Sequence, residues 1–205
     1  MTPMLISSTD RRTFVTGLAV AGMLAVAGVP LRAMTQSEAR TLIGGVMNEV
    51  HEIINSARSE AQMLRDFEAL FTRHGDIPVI ARSALGPPAR SATAAQLNAF
   101  TEAFRGYMAR KYGRQFRRFI GARADVTGAR QVQSHWEVVS TMTMRGEAPF
   151  EVRWHVSDRS GQHKFFNLII EGVNLLAAER QEIGAMLERR GGSIDRLIQD
   201  LRGAG

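Results

Sequence analysis

Residues 165–180 read FFNLIIEGVNLLAAER and join two textures of sequence. Phe165, Phe166, Leu168, Ile169 and Ile170 form an aromatic and β-branched run that suits a buried strand, whereas Leu175 opens a segment with helical spacing that reaches Arg180. Glu171-Gly172 interrupts the two. A strand that ends where a helix begins implies a mixed fold, and it places a charged residue at the corner of an apolar run. Such a charge is either held by a partner or set at the rim of a cavity. The structural expectation is a hinge: Gly172 permits the turn, and Glu171 accepts hydrogen bonds or pairs with Arg180.

Working outward, the sequence before this stretch alternates. Trp136, Val138, Ser140, Met142 and Met144 share one face of a strand, Arg145-Gly146-Glu147 makes a turn, and Phe150, Val152, Trp154 and Val156 alternate with Glu151, Arg153 and His155. Asp158 to Gly161 is a second tight turn, and a weaker strand is expected over residues 123–132. Together these predict an antiparallel meander of roughly four strands with one face to be covered.

The covering elements are helical. Thr35 with Glu38, Ser59 with Gln62 and Thr93 with Gln96 have the spacing of capping boxes, and apolar residues recur at three and four after each. Asp76 is expected to cap a short helix that Gly86-Pro87-Pro88 ends, and Ser193 to cap a final one. The helix after Thr93 is expected to run to about Ile120, with Phe100, Phe104, Tyr107 and Met108 on its apolar face. Its other side carries Arg105, Arg110, Lys111, Arg114, Arg117 and Arg118. This is either a solvated face or a patch for phosphate groups or an acidic partner. The fold class is therefore α+β: helices packed on one face of a roughly four-stranded antiparallel sheet enclosing an apolar cavity.

The chain has 205 residues and no cysteine, which excludes disulfides, thiol catalysis and thiolate metal sites. Near the start, Asp10-Arg11-Arg12-Thr13-Phe14-Val15 sets paired arginines before an uncharged Gly- and Ala-rich run over residues 15–29. The run is short for a bilayer span, so residues 1–33 are expected to be a Tat-like (twin-arginine) export signal cleaved after Ala33, with an uncut membrane anchor as the alternative. Residues 34–205 are then one domain in the periplasm. Losing three arginines and one aspartate lowers the net charge from +6 to +4. A mildly basic exported domain suits an anionic lipid surface or an acidic partner and argues against nucleic acid.

Chemistry-bearing motifs are sparse. The histidines, His51, His74, His135, His155 and His163, lack metal-ligand spacing, and no nucleophile elbow or phosphate-binding glycine loop occurs, so no metal or cofactor is expected. His155 with Asp158 is the one conceivable acid/base pair. Most of the large side chains, by contrast, belong to an ordinary core, and if the helices close incompletely on the sheet the remainder line a cavity for an apolar ligand.

Leu85-Gly86, Ala92-Thr93, Gln96, Phe100, Phe104, Tyr107 and Tyr112, then Val138, the Gly161 turn, Ile170-Glu171-Gly172-Val173-Asn174-Leu175, Arg180 and Gly191-Gly192, resemble the MlaC family. Asn174 stands where that family usually has Ser, Asn167 where it has Asp, and His163 where Trp is common. The resemblance implies a periplasmic phospholipid-binding auxiliary component of the ABC-type lipid-asymmetry, or toluene tolerance, system. Such a component is a monomeric carrier and not an enzyme. It exchanges phospholipid between an outer-membrane lipoprotein complex and an inner-membrane ABC transporter with an MCE-domain subunit. On that reading Phe100, Phe104, Tyr107, Met142, Phe150, Val152, Trp154, Leu168 and Ile170 are the expected tail contacts, Arg105 and Arg110 touch headgroup or partner, and Glu171, Gly172 and Arg180 form the hinge. The alternatives are a cavity-containing periplasmic hydrolase or isomerase and a ligand-free adaptor.

Overall fold

The computed structural model describes residues 33–204. The twin-arginine stretch of the expected signal lies outside them. Six α-helices and five strands follow in the order α1 (Gln36–Ile54), α2 (Glu60–His74), α3 (Ile77–Leu85), α4 (Ala94–Gly113), β1 (Arg123–Val132), β2 (His135–Thr143), β3 (Phe150–Ser157), β4 (Lys164–Ile170), β5 (Val173–Asn174), α5 (Leu175–Arg189) and α6 (Ile194–Gly203). All three capping boxes form: the Thr35, Ser59 and Thr93 side chains each accept the backbone N–H three residues on, and Glu38, Gln62 and Gln96 reach back. Ser193 caps α6 through Arg196 N–H. Asp76 occupies the cap position of α3 but makes no capping hydrogen bond.

The sheet is an antiparallel meander in sequential order, with one strand more than expected. The extra strand comes from the stretch quoted first. Glu171 and Gly172 both have positive φ, 47° and 83°, and Ile170 pairs with Val173, which makes them the two central residues of a type I′ hairpin. The chain therefore turns back on itself for two residues before α5 starts, with Asn174 Oδ1 accepting Ala177 N–H as the helix cap. No ion pair joins Glu171 to Arg180 among the described residues. Arg180 lies over Gly86, where an added Cβ would stand 3.1 Å from its Nε. The expected strand-to-helix hinge is thus a hairpin followed by a capped helix.

Helix α4 also ends earlier than expected, at Gly113, and residues Phe116–Phe119 form a 3-10 turn. Gly113 is buried against Leu64 of α2, whose side-chain end would have to shift to admit a Cβ there. Helix α4 packs against α2, α3 and α6, while α5 lies on α3 and β4. Helix α1 crosses the edge strand β1, and its Gln36 and Arg40 donate to the Ala129 and Val126 carbonyls on either side of the β1 bulge. These donors occupy polar groups that an edge would otherwise leave open.

Candidate functional site

The inner face of the sheet is set by register. Met142 lies opposite Phe150, Ser140 opposite Val152 and Val138 opposite Trp154, while Val152 and Trp154 in turn lie opposite Ile170 and Leu168. Between this face and the helices lies a cavity of about 890 Å³. Met142, Phe150, Val152, Trp154, Leu168 and Ile170, the six expected contacts from the sheet, all line it. Trp154 is the largest of them, and its indole N–H donates to Ser140 Oγ at 3.0 Å while Ser140 donates to Val152 O. The one polar atom of the ring is satisfied within the sheet, so its apolar surface is what the cavity meets. Phe165 stands edge-on to Trp154, and Phe71 of α2 lies beyond it.

The expected contacts from α4 lie elsewhere. Phe100, Phe104 and Tyr107 are packed in the helical core, at 0%, 0% and 2% exposure, and none lines the cavity. The cavity instead borders the next turns of the same helix, at Met108, Ala109, Tyr112 and Gly113. The opposite wall is formed by Val46, Met47, Val50 and Ile54 of α1 and by Phe67, Leu70 and Phe71 of α2. Most of these α1 and α2 residues show in the sequence as helical apolar faces, and that periodicity was the available signal. What the spacing does not show is that the space opposite is unfilled. The cavity is not enclosed: its lining passes into exposed residues, among them Gln115, Arg118, Arg123, Glu147 and Glu171, which form a polar rim.

The basic side of α4 is not a free patch. Arg105 pairs with Glu68 and Glu102, and Arg110 donates to the Leu201 and Ala204 carbonyls at the end of α6. Lys111 points into α5, with Nζ 2.6 Å from Glu179 Oε1 and 2.5 Å from Glu182 Oε2. Tyr112 donates to Glu179 Oε1 and Tyr107 to Glu182 Oε1. Glu179 is 1% exposed, and its Oε2 is buried without a hydrogen-bond partner. Its burial is legible in retrospect, because Leu175, Glu179, Ile183 and Leu187 follow one another at intervals of four.

The electrostatics of this cluster run against acid/base catalysis at neutral pH. Burial and the bonds to Glu182 and Glu179 push the Tyr107 and Tyr112 hydroxyls well above the ordinary tyrosine range. Burial alone would lower Lys111, but its hydrogen bonds to Glu179 and Glu182 outweigh that and hold it above the ordinary lysine range. Hydrogen bonds from Lys111 and Tyr107 hold Glu182 below the usual carboxylate range. Tyr107, Lys111, Tyr112 and Glu182 are thus each moved away from neutrality.

His155 and Asp158 do not form a pair. Asp158 accepts Met34 N–H at 2.7 Å, whereas His155 lies on the outer face of the sheet, 3.5 Å from Glu137. No group of three or more His, Cys, Asp or Glu able to hold a metal occurs among the described residues.

A family model described as "MlaC protein" matches residues 45–203. Among solved structures, the phospholipid-binding protein from Ralstonia solanacearum, determined in complex with a phospholipid, is similar over 80% of this chain and 94% of that one. Its TM-score is 0.68 at 19% sequence identity, a likeness that establishes a common fold.

Proposed function

Since the chain belongs to the MlaC family, matched over residues 45–203, we propose that it is a phospholipid carrier whose cargo lies with its acyl chains in the cavity between sheet and helices. The cavity carries this reading: about 890 Å³ lined largely by aliphatic and aromatic side chains, near the top of the usual range for small-molecule sites. The Ralstonia protein of the same fold holds a phospholipid, which supports the assignment of cargo. Exposing two acyl chains of roughly 30 methylenes to water costs on the order of 20 kcal/mol at ~0.8 kcal/mol each, so free diffusion between membranes is negligible. A dry wall such as that around Trp154 offsets the cost without catalysis.

The carrier works in the periplasm as a monomer, following export on the twin-arginine segment. It exchanges lipid between an outer-membrane lipoprotein complex and an inner-membrane ABC transporter with an MCE-domain subunit, and so maintains outer-membrane lipid asymmetry. Native mass spectrometry of the protein purified gently from a bacterial envelope tests the cargo. The expected result is phospholipid at about one molecule per chain, and protein that is consistently lipid-free overturns the proposal.

A further inference from the structure

We infer that the connection between α4 and β1 forms a phosphate site at the cavity mouth, in which the guanidinium groups of Arg118 and Arg123 hold the phosphate of a lipid headgroup. The inference rests on the phospholipid reading and adds to it the part of the protein that meets the polar end of the cargo. The connection is fixed in place. Gly121, at φ +78°, donates its N–H to Asn55 Oδ1 at 3.2 Å, and the carbonyl of Ala122, which can only accept, takes a hydrogen bond from His51 Nδ1 at 3.2 Å. Ala122 N–H turns back to Phe119 O at 2.9 Å, and Ala122 itself is 4% exposed. The loop is thereby bonded to the end of α1.

Held this way, the loop has two kinds of side chain at the cavity. Phe119 belongs to the apolar lining, while Arg118 and Arg123 reach the same cavity from exposed positions at its mouth. Neither guanidinium group has a hydrogen bond or ion pair with another described residue, in contrast to Arg105, Arg110 and Lys111 on α4, whose side-chain donors are engaged. The carboxylates on the rim, Asp125, Glu147 and Glu171, pair with neither of them. Guanidinium groups flanking the entrance of an apolar cavity, with donors unspent, suit the oxygens of a phosphate whose attached chains lie inside. Arg118 on this fixed connection and Arg123 at the first residue of β1 both start from an ordered backbone, so only their side chains must be ordered on binding.

The test offers the delipidated full chain a phosphatidylglycerol and the diacylglycerol with the same two chains, at equal concentration in detergent micelles, with bound species counted by native mass spectrometry. The unaltered protein should favour the phospholipid by at least about tenfold, the scale of one charge-assisted hydrogen bond. The double variant Arg118→Gln, Arg123→Gln should take up the two lipids about equally, and its diacylglycerol uptake reports that the cavity is intact. No preference in the unaltered protein, or a preference that survives both substitutions, overturns the phosphate site. A chain that takes up neither lipid overturns the carrier reading instead, so the two failures are distinct. Glycerol 3-phosphate alone should not perturb the arginine side-chain NMR signals. Saturable binding of it that the double variant loses would assign these arginines to free phosphate and overturn the headgroup role.

Discussion

Helix α4 is one continuous helix with two different surroundings. From Phe100 to Tyr107 the rings are buried, with ring centroids 5.7 Å apart for Phe100 and Phe104 and 6.2 Å for Phe104 and Tyr107. From Met108 to the helix end, Met108, Ala109, Tyr112 and Gly113 face a cavity. The first stretch packs its rings into the helical core; the second faces a sheet that stands off from the helices. Rings at helical spacing on α4 therefore mark packed core, and the binding space opens only over its last turns.

The largest expected effect probes that contrast directly. Phe104→Ala should cost about 3–5 kcal/mol, because a fully buried ring leaves a void that rigid neighbours fill only in part. Leu168→Ala on the cavity wall should cost less than about 1.5 kcal/mol, since Leu168 is only half-buried and already faces empty space, while its loss should weaken lipid retention. Urea unfolding of the two variants measures both. Equal losses would mean that the helical core and the cavity wall are packed alike and would break the comparison.

The cavity-facing stretch of α4 is also anchored to α5 by a buried charge pair. Lys111→Met would leave Glu179, 1% exposed, with only the Tyr112 hydroxyl, and an expected loss of about 3 kcal/mol follows from stranding a buried carboxylate. Glu179→Leu in the same chain should restore much of it, because removing both charges also removes the desolvation cost. A single-variant loss below about 1 kcal/mol would place this pair among ordinary surface ion pairs and remove it as a structural anchor.

How far the sequence carries such a contrast can be seen at particular residues. Local rules sufficed for the caps at Thr35, Ser59 and Thr93 and for the alternation from Trp136 to Val156, because each depends on neighbours in the chain. The hairpin at Glu171-Gly172 escaped notice because Asn or Asp usually precedes the glycine in such turns, and Glu hides the signature. The burial of Gly113 at the end of α4 rests against Leu64 of another helix, which no local rule shows. Arg105, Arg110 and Lys111 looked like one basic face, and only the positions of α2, α5 and α6 show that each is engaged separately. For the cavity, periodicity gave the inward sides of α1, α2 and β2–β4, but an unfilled volume is a property of distances between elements.

The smallest expected effect comes from the outer face of the sheet, which carries charged and polar groups and so sharpens the contrast with the apolar inner face. His135 lies 4.5 Å from His155 and edge-on to Phe166, and its Nε2 is buried with no partner. Burial first, then the neighbouring His155 and Arg159, hold His135 below the ordinary histidine value of 6.5, against the pull of Glu137. Burial likewise lowers His155, although Glu137 opposes it. Glu137 is in turn bonded to Arg130, and Arg153 stands near it. A folded-state pKa below the unfolded one means that the unfolded chain takes up protons first as the pH falls. Stability from these two histidines is therefore complete above pH 6.5 and declines below it. His135→Phe removes one of the two titrations and an unpartnered nitrogen, and it keeps a ring beside Phe166. Stability near neutral pH should change by less than about 1 kcal/mol, because an apolar group of similar shape costs little where a polar one was unsatisfied. The decline below pH 6.5 should become shallower, and lipid retention should not respond, since His135 faces away from the cavity. Urea unfolding at a series of pH values reads the slope; an unchanged slope would show that His135 does not titrate with folding, and altered lipid retention would show that the two faces of the sheet are not independent.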